Sequence, residues 1–256
     1  MVWPKITVVT PSYNQGEFLE ATLKSVLEQA YPNLEYIVMD GGSTDGSVEI
    51  LERYSHYFSY WASETDRGQT DALIKGFARA SGEILCWLNS DDLFEPWTLR
   101  EVATFFQQQG SAQVVYGDAT VIDRDGRLVR FKKEHSFNRF IWMYDHNYIA
   151  QPSTFWSRSV YEEVGGLDPA FDLAMDADLW IRFASVAPLY HVRHRWSQMR
   201  LYPAQKNQRL RQSSDQEDLI IRRRYLDGEP SWSRKMKRLV AKGTRITWKL
   251  TTGCYW

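Results

Sequence analysis

The chain begins with a short β-branched run, Lys5 to Thr10, which Pro11 ends. Glu17 to Ala30 then places Phe18, Ala21, Leu23, Val26 and Leu27 at near-helical spacing. The pattern predicts a strand followed by a helix, and it recurs. Leu34 to Met39 precedes a helix after Gly46, Phe58 to Ala62 precedes one from about Gln69, and Glu83 to Leu88 precedes one from about Pro96. Repeated strand and helix alternation predicts an α/β fold with a mostly parallel sheet covered by helices. Runs with little polar alternation, such as Tyr36 to Met39 and Ile84 to Leu88, suit strands buried on both faces. In such sheets ligands lie beyond the carboxyl ends of the strands. The residues after Thr10, Met39 and Leu88 are therefore the first places to look for chemistry.

Past Gly110 the pattern becomes mixed. Gln113 to Tyr116 reads as a strand, and Asp118 to Phe131 as a hairpin turning at Asp125-Gly126. Asp176 to Val186 reads as a helix, Leu189 to Arg195 as a strand, and the chain after Gln205 as mainly helical. His191 and His194, three apart in a strand, face opposite sides and do not suit a shared metal.

Composition sharpens this picture. The 256 residues are 43% apolar and 25% charged, as in a folded globular protein. Cys86 and Cys254 are the only cysteines, which removes a disulfide framework or a cysteine-rich zinc site and favours a reducing, cytoplasmic setting. No signal-peptide pattern opens the chain, and no apolar run nears the roughly 20 residues of a membrane span. Charge is nearly balanced, 31 basic against 32 acidic, yet unevenly spread. Residues 1–227 carry 24 basic and 31 acidic side chains, net −7, whereas 228–256 carry 7 and 1, net +6.

Three strand ends hold candidate groups. After the first come Pro11, Ser12, Tyr13 and Asn14, whose hydroxyls, amide and ring suit a ribose or base; equally, Ser12 or Asn14 caps the next helix. After the second come Asp40-Gly41-Gly42-Ser43-Thr44-Asp45-Gly46, where Gly42 permits close backbone approach. Asp40 suits a base N–H, and Asp45 suits a helix N-cap. After the fourth come Asn89-Ser90-Asp91-Asp92, adjacent carboxylates for which a divalent cation is a natural compensation; helix capping before Pro96 competes. Asp176 and Asp178 open a further helix without sharing a face, so at most one addresses a substrate. A plain N-cap at Asp176, with Asp178 complementing the helix dipole, is the alternative. Gly-rich dinucleotide, P-loop and nucleophile-elbow motifs are absent, so oxidoreductases, P-loop NTPases and α/β-hydrolases lose their support.

Taken in order, Thr10 to Asn14, Asp40 to Asp45, Asp66-Arg67-Gly68-Gln69, Asn89 to Asp92 and Met175 to Trp180 resemble the family 2 glycosyltransferases of the GT-A fold. The resemblance runs from about Lys5 to about Lys206. It implies a domain over 1–205, with a nucleotide-binding half (1–110) and an acceptor-side half (111–205); the basic, Trp-containing helical extension over 206–256 lies outside it. It further implies that Pro11, Ser12 and Tyr13 line the nucleotide, that Asp40 binds the base, and that Asp91 and Asp92 match the DXD-type motif. In that motif Asp92 is the direct ligand of Mg²⁺ or Mn²⁺, and Asp91 lies towards the ribose. Asp176 falls at the catalytic base, while Asp178 supports the helix. Gly42, Asp66, Gly68, Gln69 and Asp71 match donor-side positions without individual roles. One departure stands out: relatives often carry a His where this chain has Tyr202.

The activity implied is inverting transfer of a sugar from a nucleotide-diphosphate sugar, UDP favoured, to a hydroxyl of a saccharide or lipid-linked saccharide in surface-glycan synthesis. Nucleic acid is not an expected partner. A non-catalytic sugar-nucleotide binding protein is the alternative that Tyr202 keeps open. A sugar nucleotidyltransferase would need a Gly-rich, basic first loop, which Thr10 to Gln15 lacks. The aromatic stretch Phe137, Phe140, Trp142, Tyr144 and Tyr148 suits either an acceptor surface or core packing. In the tail, seven basic residues from Arg234 to Lys249 alternate with Trp232, Leu239, Val240, Ile246, Trp248 and Trp256, which suits either peripheral contact with an anionic membrane face or a basic helix packed on the acidic body.

Overall fold

A computed structural model describes residues 2–110 and 113–254; Trp256 of the basic tail lies outside them. Strand β1 (Ile6–Ser12) leads into helix α1 (Gly16–Leu27), and β2 (Leu34–Asp40) into α2 (Ser47–Tyr54). Strand β3 (Tyr60–Ser63) precedes α3 (Gln69–Phe77), and β4 (Ile84–Trp87) is followed by a two-residue β5 (Leu93–Phe94) and α4 (Thr98–Gln109). The second half holds β6 (Val114–Ile122), β7 (Leu128–Lys132), α5 (Arg139–Tyr144), β8 (Thr154–Ser157), α6 (Arg158–Glu163), α7 (Met175–Val186) and β9 (Leu189–Arg200). Helices α8 (Lys206–Arg209), α9 (Arg211–Leu226) and α10 (Ser231–Thr251) follow.

One sheet runs through the described residues in the order β3-β2-β1-β4-β8-β6-β9-β5, with β7 beside β6. Strands β1 to β4 are mutually parallel, so their carboxyl ends share one edge. Antiparallel β8 joins this half to β6, and β6 and β9 pair in parallel with a register shift near Gly117 and Asp118. All residues of β1, β4 and β6 are buried, including the polar Thr7, Thr10, Ser12, Asp118 and Thr120, as central strands covered on both faces are.

Several boundaries depart from the sequence pattern for readable reasons. Strand β1 continues through Pro11 to Ser12 because β4 ends its register at Val9. The Leu88 N–H bonds Val9 O, so Pro11, two residues on, lacks its N–H on a side where no ladder remains. Residues expected as two strands around Tyr116 and Asp118 form the single β6, and the hairpin turn falls at Asp125-Gly126 as expected. Strand β9 extends five residues beyond Arg195 because β6 continues to pair with it through Arg200, while β5 pairs with Ser197 and Gln198 on its other edge. Asp45 does not occupy the N-cap of α2. Gly46 does, with φ of 90°, and Asp45 instead bonds the N–H and hydroxyl of Ser47 through Oδ1 and the Gly16 N–H through Oδ2.

The aromatic stretch of the second half is largely core: Trp142 and Tyr148 are fully buried, and Tyr144 packs beneath α10. His191 and His194 turn to opposite partners, Asp118 and Glu101.

Candidate active site

The shared edge of β1, β2, β3 and β4 gathers the loops singled out in the sequence. Ser12 is buried, and its Oγ has no hydrogen-bond partner among the described residues; Tyr13 beside it is 61% exposed. Neither Ser12 nor Asn14 caps α1, because Gln15 takes the N-cap position without a side-chain bond. Asn14 adopts φ of 50° and instead ties two loops together: its N–H bonds Ser43 Oγ at 2.7 Å, and its Oδ1 accepts the Thr44 N–H at 2.8 Å.

Asp40 is more heavily committed than the sequence suggested. Its Oδ2 accepts the N–H groups of Gly42 and Ser43 and the hydroxyl of Ser63, and its Oδ1 accepts the Ser43 hydroxyl at 2.6 Å. Acceptor capacity remains on Oδ1. Gly42 has φ of 82°, the left-handed turn its position requires.

The next loop braces this one. Asp66 accepts the Gly68 N–H through Oδ1, and its carboxyl is raised by burial, with Asp71 and Asp172 adding to the effect. Gln69 donates to Asn89 Oδ1 at 2.7 Å, and Asn89 donates to Gln151 Oε1 at 3.2 Å, an amide chain running from α3 across the end of β4. Asp71 pairs with Lys75 of its own helix and with Arg67 just before it.

Beyond β4 the paired carboxylates sit in a buried network. Asp92 Oδ1 accepts the backbone N–H of Arg200 at 2.9 Å, and its Oδ2 has a longer 3.3 Å contact with Asn89 Nδ2. Asp91 Oδ2 accepts from the Tyr202 hydroxyl and from Gln205. Burial raises both carboxyls, and the neighbouring Asp91 charge pushes Asp92 further. The Arg200 guanidinium bonds the carbonyls of Asp91, Asp123 and Arg124 rather than either carboxylate. Two buried carboxylates whose burial and mutual repulsion the nearby Arg200 charge only partly offsets suit a hard divalent cation, which is commonly bound by one or two carboxylates with phosphate and water completing the shell. Among the described residues no third His, Cys, Asp or Glu joins them.

Asp176 approaches from the other half. Trp180, one turn along α7 on the same face, stacks on Trp87 with centroids 5.7 Å apart, which fixes the start of α7 near the end of β4. Asp176 lies at the second position of α7, not at its N-cap, and Oδ2 accepts a 3.0 Å bond from Asn147. Desolvation raises its carboxyl to about 6. Asp178 is buried and pairs with Arg182 and Arg224, a structural role.

Glu217 of α9 accepts the N–H groups of Asp172, Leu173 and Ala174, the segment leading into α7. Asp172 in turn accepts the Thr70 N–H and pairs with Lys206. Sequence spacing carries no signal for Asn147, Arg200 or Glu217, since each acts through contacts dozens of residues distant.

Residues 7–165 match the family profile described as glycosyl transferase family 2. The chain belongs to glycosyltransferase family 2. It is 32% identical over 185 residues to the uncharacterized glycosyltransferase MT1564 of Mycobacterium tuberculosis, covering 72% of this chain and 70% of that one. It is 28% identical over 186 residues to a PGL/p-HBAD biosynthesis glycosyltransferase of Mycobacterium bovis, covering 71% and 70%. Among solved structures, S. aureus TarS 1-349 in complex with UDP aligns with a TM-score of 0.68 at 17% identity, covering 91% of this chain and 69% of that one. The chain spans 41% of the longer TarS structure that it also matches. A mannosyltransferase from Pyrobaculum calidifontis, in complex with GDP-Man and Mn²⁺, aligns at 0.65 and 18%, covering 94% and 70%. The glycosyltransferase thus has the GT-A fold, and the family match removes the main ground for a nucleotidyltransferase.

Proposed function

We propose that this glycosyltransferase moves a sugar, with inversion, from a nucleoside-diphosphate sugar to a hydroxyl of a saccharide or lipid-linked saccharide. The observation that carries the reading is Asp176: a desolvated carboxyl held by Asn147, on the helix that Trp180 stacks against Trp87 at the end of β4. A base whose pKa lies near working pH both accepts and releases a proton readily.

Asp176 accepts the acceptor hydroxyl proton as that oxygen bonds the anomeric carbon. The bond from carbon to diphosphate breaks on the opposite face, and the proton then passes to solvent. One base suffices, because no enzyme-bound sugar forms. Ser12, Tyr13 and Asp40 hold the nucleoside, with Pro11, Gly42, Asp66, Gly68 and Gln69 shaping its walls; Asp71 serves by fixing Arg67. Asp92, with Asp91 beside it, would hold Mg²⁺ or Mn²⁺, which when bound would neutralise charge on the departing diphosphate.

UDP is the favoured nucleotide, a choice supported by the UDP complex of TarS, while the GDP-Man complex keeps guanosine in play. The name of the M. bovis relative favours a glycolipid or polysaccharide pathway.

The test has two parts. A thermal shift against UDP-, dTDP- and GDP-sugars with Mn²⁺ should pick out one donor, which at 100 times its dissociation constant stabilises by about 2.7 kcal/mol. Asp176→Asn should then abolish transfer and keep donor binding, and Asp92→Ala should weaken metal-dependent binding. Full transfer by Asp176→Asn removes the base assignment. Donor binding with neither transfer nor slow donor hydrolysis in the wild type would favour a binding protein, the reading that Tyr202 supports.

A further inference from the structure

Helix α10 has two faces. Towards the body, Ala241 is fully buried, Trp248 stacks on His135 at 4.7 Å, and Lys237, Arg245 and Lys249 pair with Glu229, Asp145 and Glu134. These contacts neutralise three of the seven basic residues in the segment. Among the described residues nothing covers the opposite face. Trp232, Met236, Leu239, Ile246 and Leu250, spaced by three, four or seven residues, form a stripe along one side, with Val240 beside it. Trp232 is 66% exposed, Leu239 71% and Leu250 55%. Arg234, Lys235, Arg238 and Lys242 have no ion-pair partner among the described residues, and the last three are exposed.

We propose that this outer face of α10 is a docking surface for an anionic lipid membrane, with the helix lying in the plane of the interface. The helix has 21 residues, close to 30 Å at about 1.5 Å per residue, enough for several turns of contact. Trp and aliphatic side chains flanked by lysine and arginine are the composition that interfacial helices use.

Charge decides against a second copy of the chain. The stripe has the spacing of a two-stranded seam, but Lys235 and Lys242 occupy the flanking positions where such a seam needs opposite charges. Glu229, the only acid in residues 228–254, is already paired with Lys237. A facing copy would offer no acid to Lys235, Arg238 or Lys242, whereas anionic headgroups complement them. The inner face also bears on the active site, since Arg245 holds Asp145, two residues before the Asn147 that bonds Asp176.

The experiment is cosedimentation of the full chain with phosphatidylcholine vesicles, with or without an equal share of phosphatidylglycerol. Binding should require the anionic lipid and fall with added salt. The combined change Lys235→Gln, Arg238→Gln and Lys242→Gln should weaken it by on the order of 100-fold, and Leu239→Glu should weaken it as well. All four side chains are exposed, so melting temperature and nucleotide binding report that each variant stays folded. Equal binding to neutral vesicles, or undiminished binding by the triple variant, overturns the proposal. So does a concentration-dependent dimer dispersed by Leu239→Glu without vesicle binding. No donor enters the assay, so its failure is separable from failure of the transferase reading.

Discussion

The Tyr202 hydroxyl donates a hydrogen bond to Asp91 Oδ2 over 3.1 Å, which ties the end of β9 to the paired carboxylates beyond β4. The same hydroxyl reaches Gln15 at 3.4 Å, and its ring tilts against Phe18. A neutral phenol is a poor metal ligand but a good donor to a carboxylate, so Tyr202 stabilises the ionised form of Asp91 against the burial that raises it. Tyr202→Phe removes that donor and raises Asp91 further, so the ionised pair forms only at higher pH. Mn²⁺-dependent UDP binding, measured calorimetrically, should fall about tenfold near pH 6 and less near pH 8, as expected for one hydrogen bond to a charged group. Tyr202→His should tighten it by adding an imidazole.

Asp176 links activity to stability with opposite signs. Its carboxyl titrates at about 6, above the ordinary 3.8, so transfer should rise as pH passes 6 and level off above. The raised pKa favours the protonated form in the folded state. Relative to an uncharged side chain, Asp176 therefore costs nothing below about pH 4 and destabilises progressively until the pH exceeds 6. Asp176→Asn should melt higher than the wild type at pH 7.5, by roughly 1–3 kcal/mol of stability, and this advantage should vanish near pH 4. A variant that is inactive yet more stable would mark Asp176 as held in a costly environment for chemistry; one that is inactive and less stable would assign it a structural role.

Glu217 belongs to the helical extension, yet its carboxylate orders the backbone of Asp172, Leu173 and Ala174 immediately before α7. Glu217→Ala frees those N–H groups and should cost roughly 1.5–3 kcal/mol of stability, as hydrogen bonds to a charged group do. Because the segment leads directly into Asp176 and meets the donor side only through Asp172 at Gly68 and Thr70, kcat should drop by more than the UDP dissociation constant rises. Steady-state kinetics alongside UDP titration separates the two. Glu217→Gln, which keeps an acceptor, should recover part of kcat.

The contrast between Asp176 and Glu217 shows where sequence reading stops. Asp176 stands in a stretch whose spacing resembles a family motif, and the buried runs of β1, β2 and β4 point to the loops that follow them. Those signals are local. Strand β9 was legible only to Arg195, because its last residues are fixed by pairing with β6 and the two-residue β5 and by the Arg200 N–H bond to Asp92, across many tens of positions. Asp40 could be picked out by position, but its four bonds to Gly42, Ser43 and Ser63 follow from how two loops fold back on it. Glu217 is one acid in a polar helix, with no pattern to separate it from Asp215 or Asp218.

Gly68 connects the donor side to the segment that Glu217 holds. It has φ of 117°, and a Cβ there would sit 2.8 Å from both carboxylate oxygens of Asp172. Asp172 accepts the Thr70 N–H at the start of α3 and pairs with Lys206, so a displaced carboxylate loosens α3 from the segment preceding Asp176. Gly68→Ala combines that clash with backbone strain and should cost roughly 1–3 kcal/mol, with a loss of kcat. Gly126→Ala is the comparison: its φ of 84° is also left-handed, but nothing lies within 4 Å, so it should lose only the backbone part and keep full activity. The decisive measurement is a double-mutant cycle by chemical denaturation. Asp172→Ala removes the atoms that the new methyl would strike, so Gly68→Ala should cost less in that background than in the wild type. Additive effects would show that backbone strain alone accounts for the glycine, and would detach Asp172 from the coupling between the donor loops and the base.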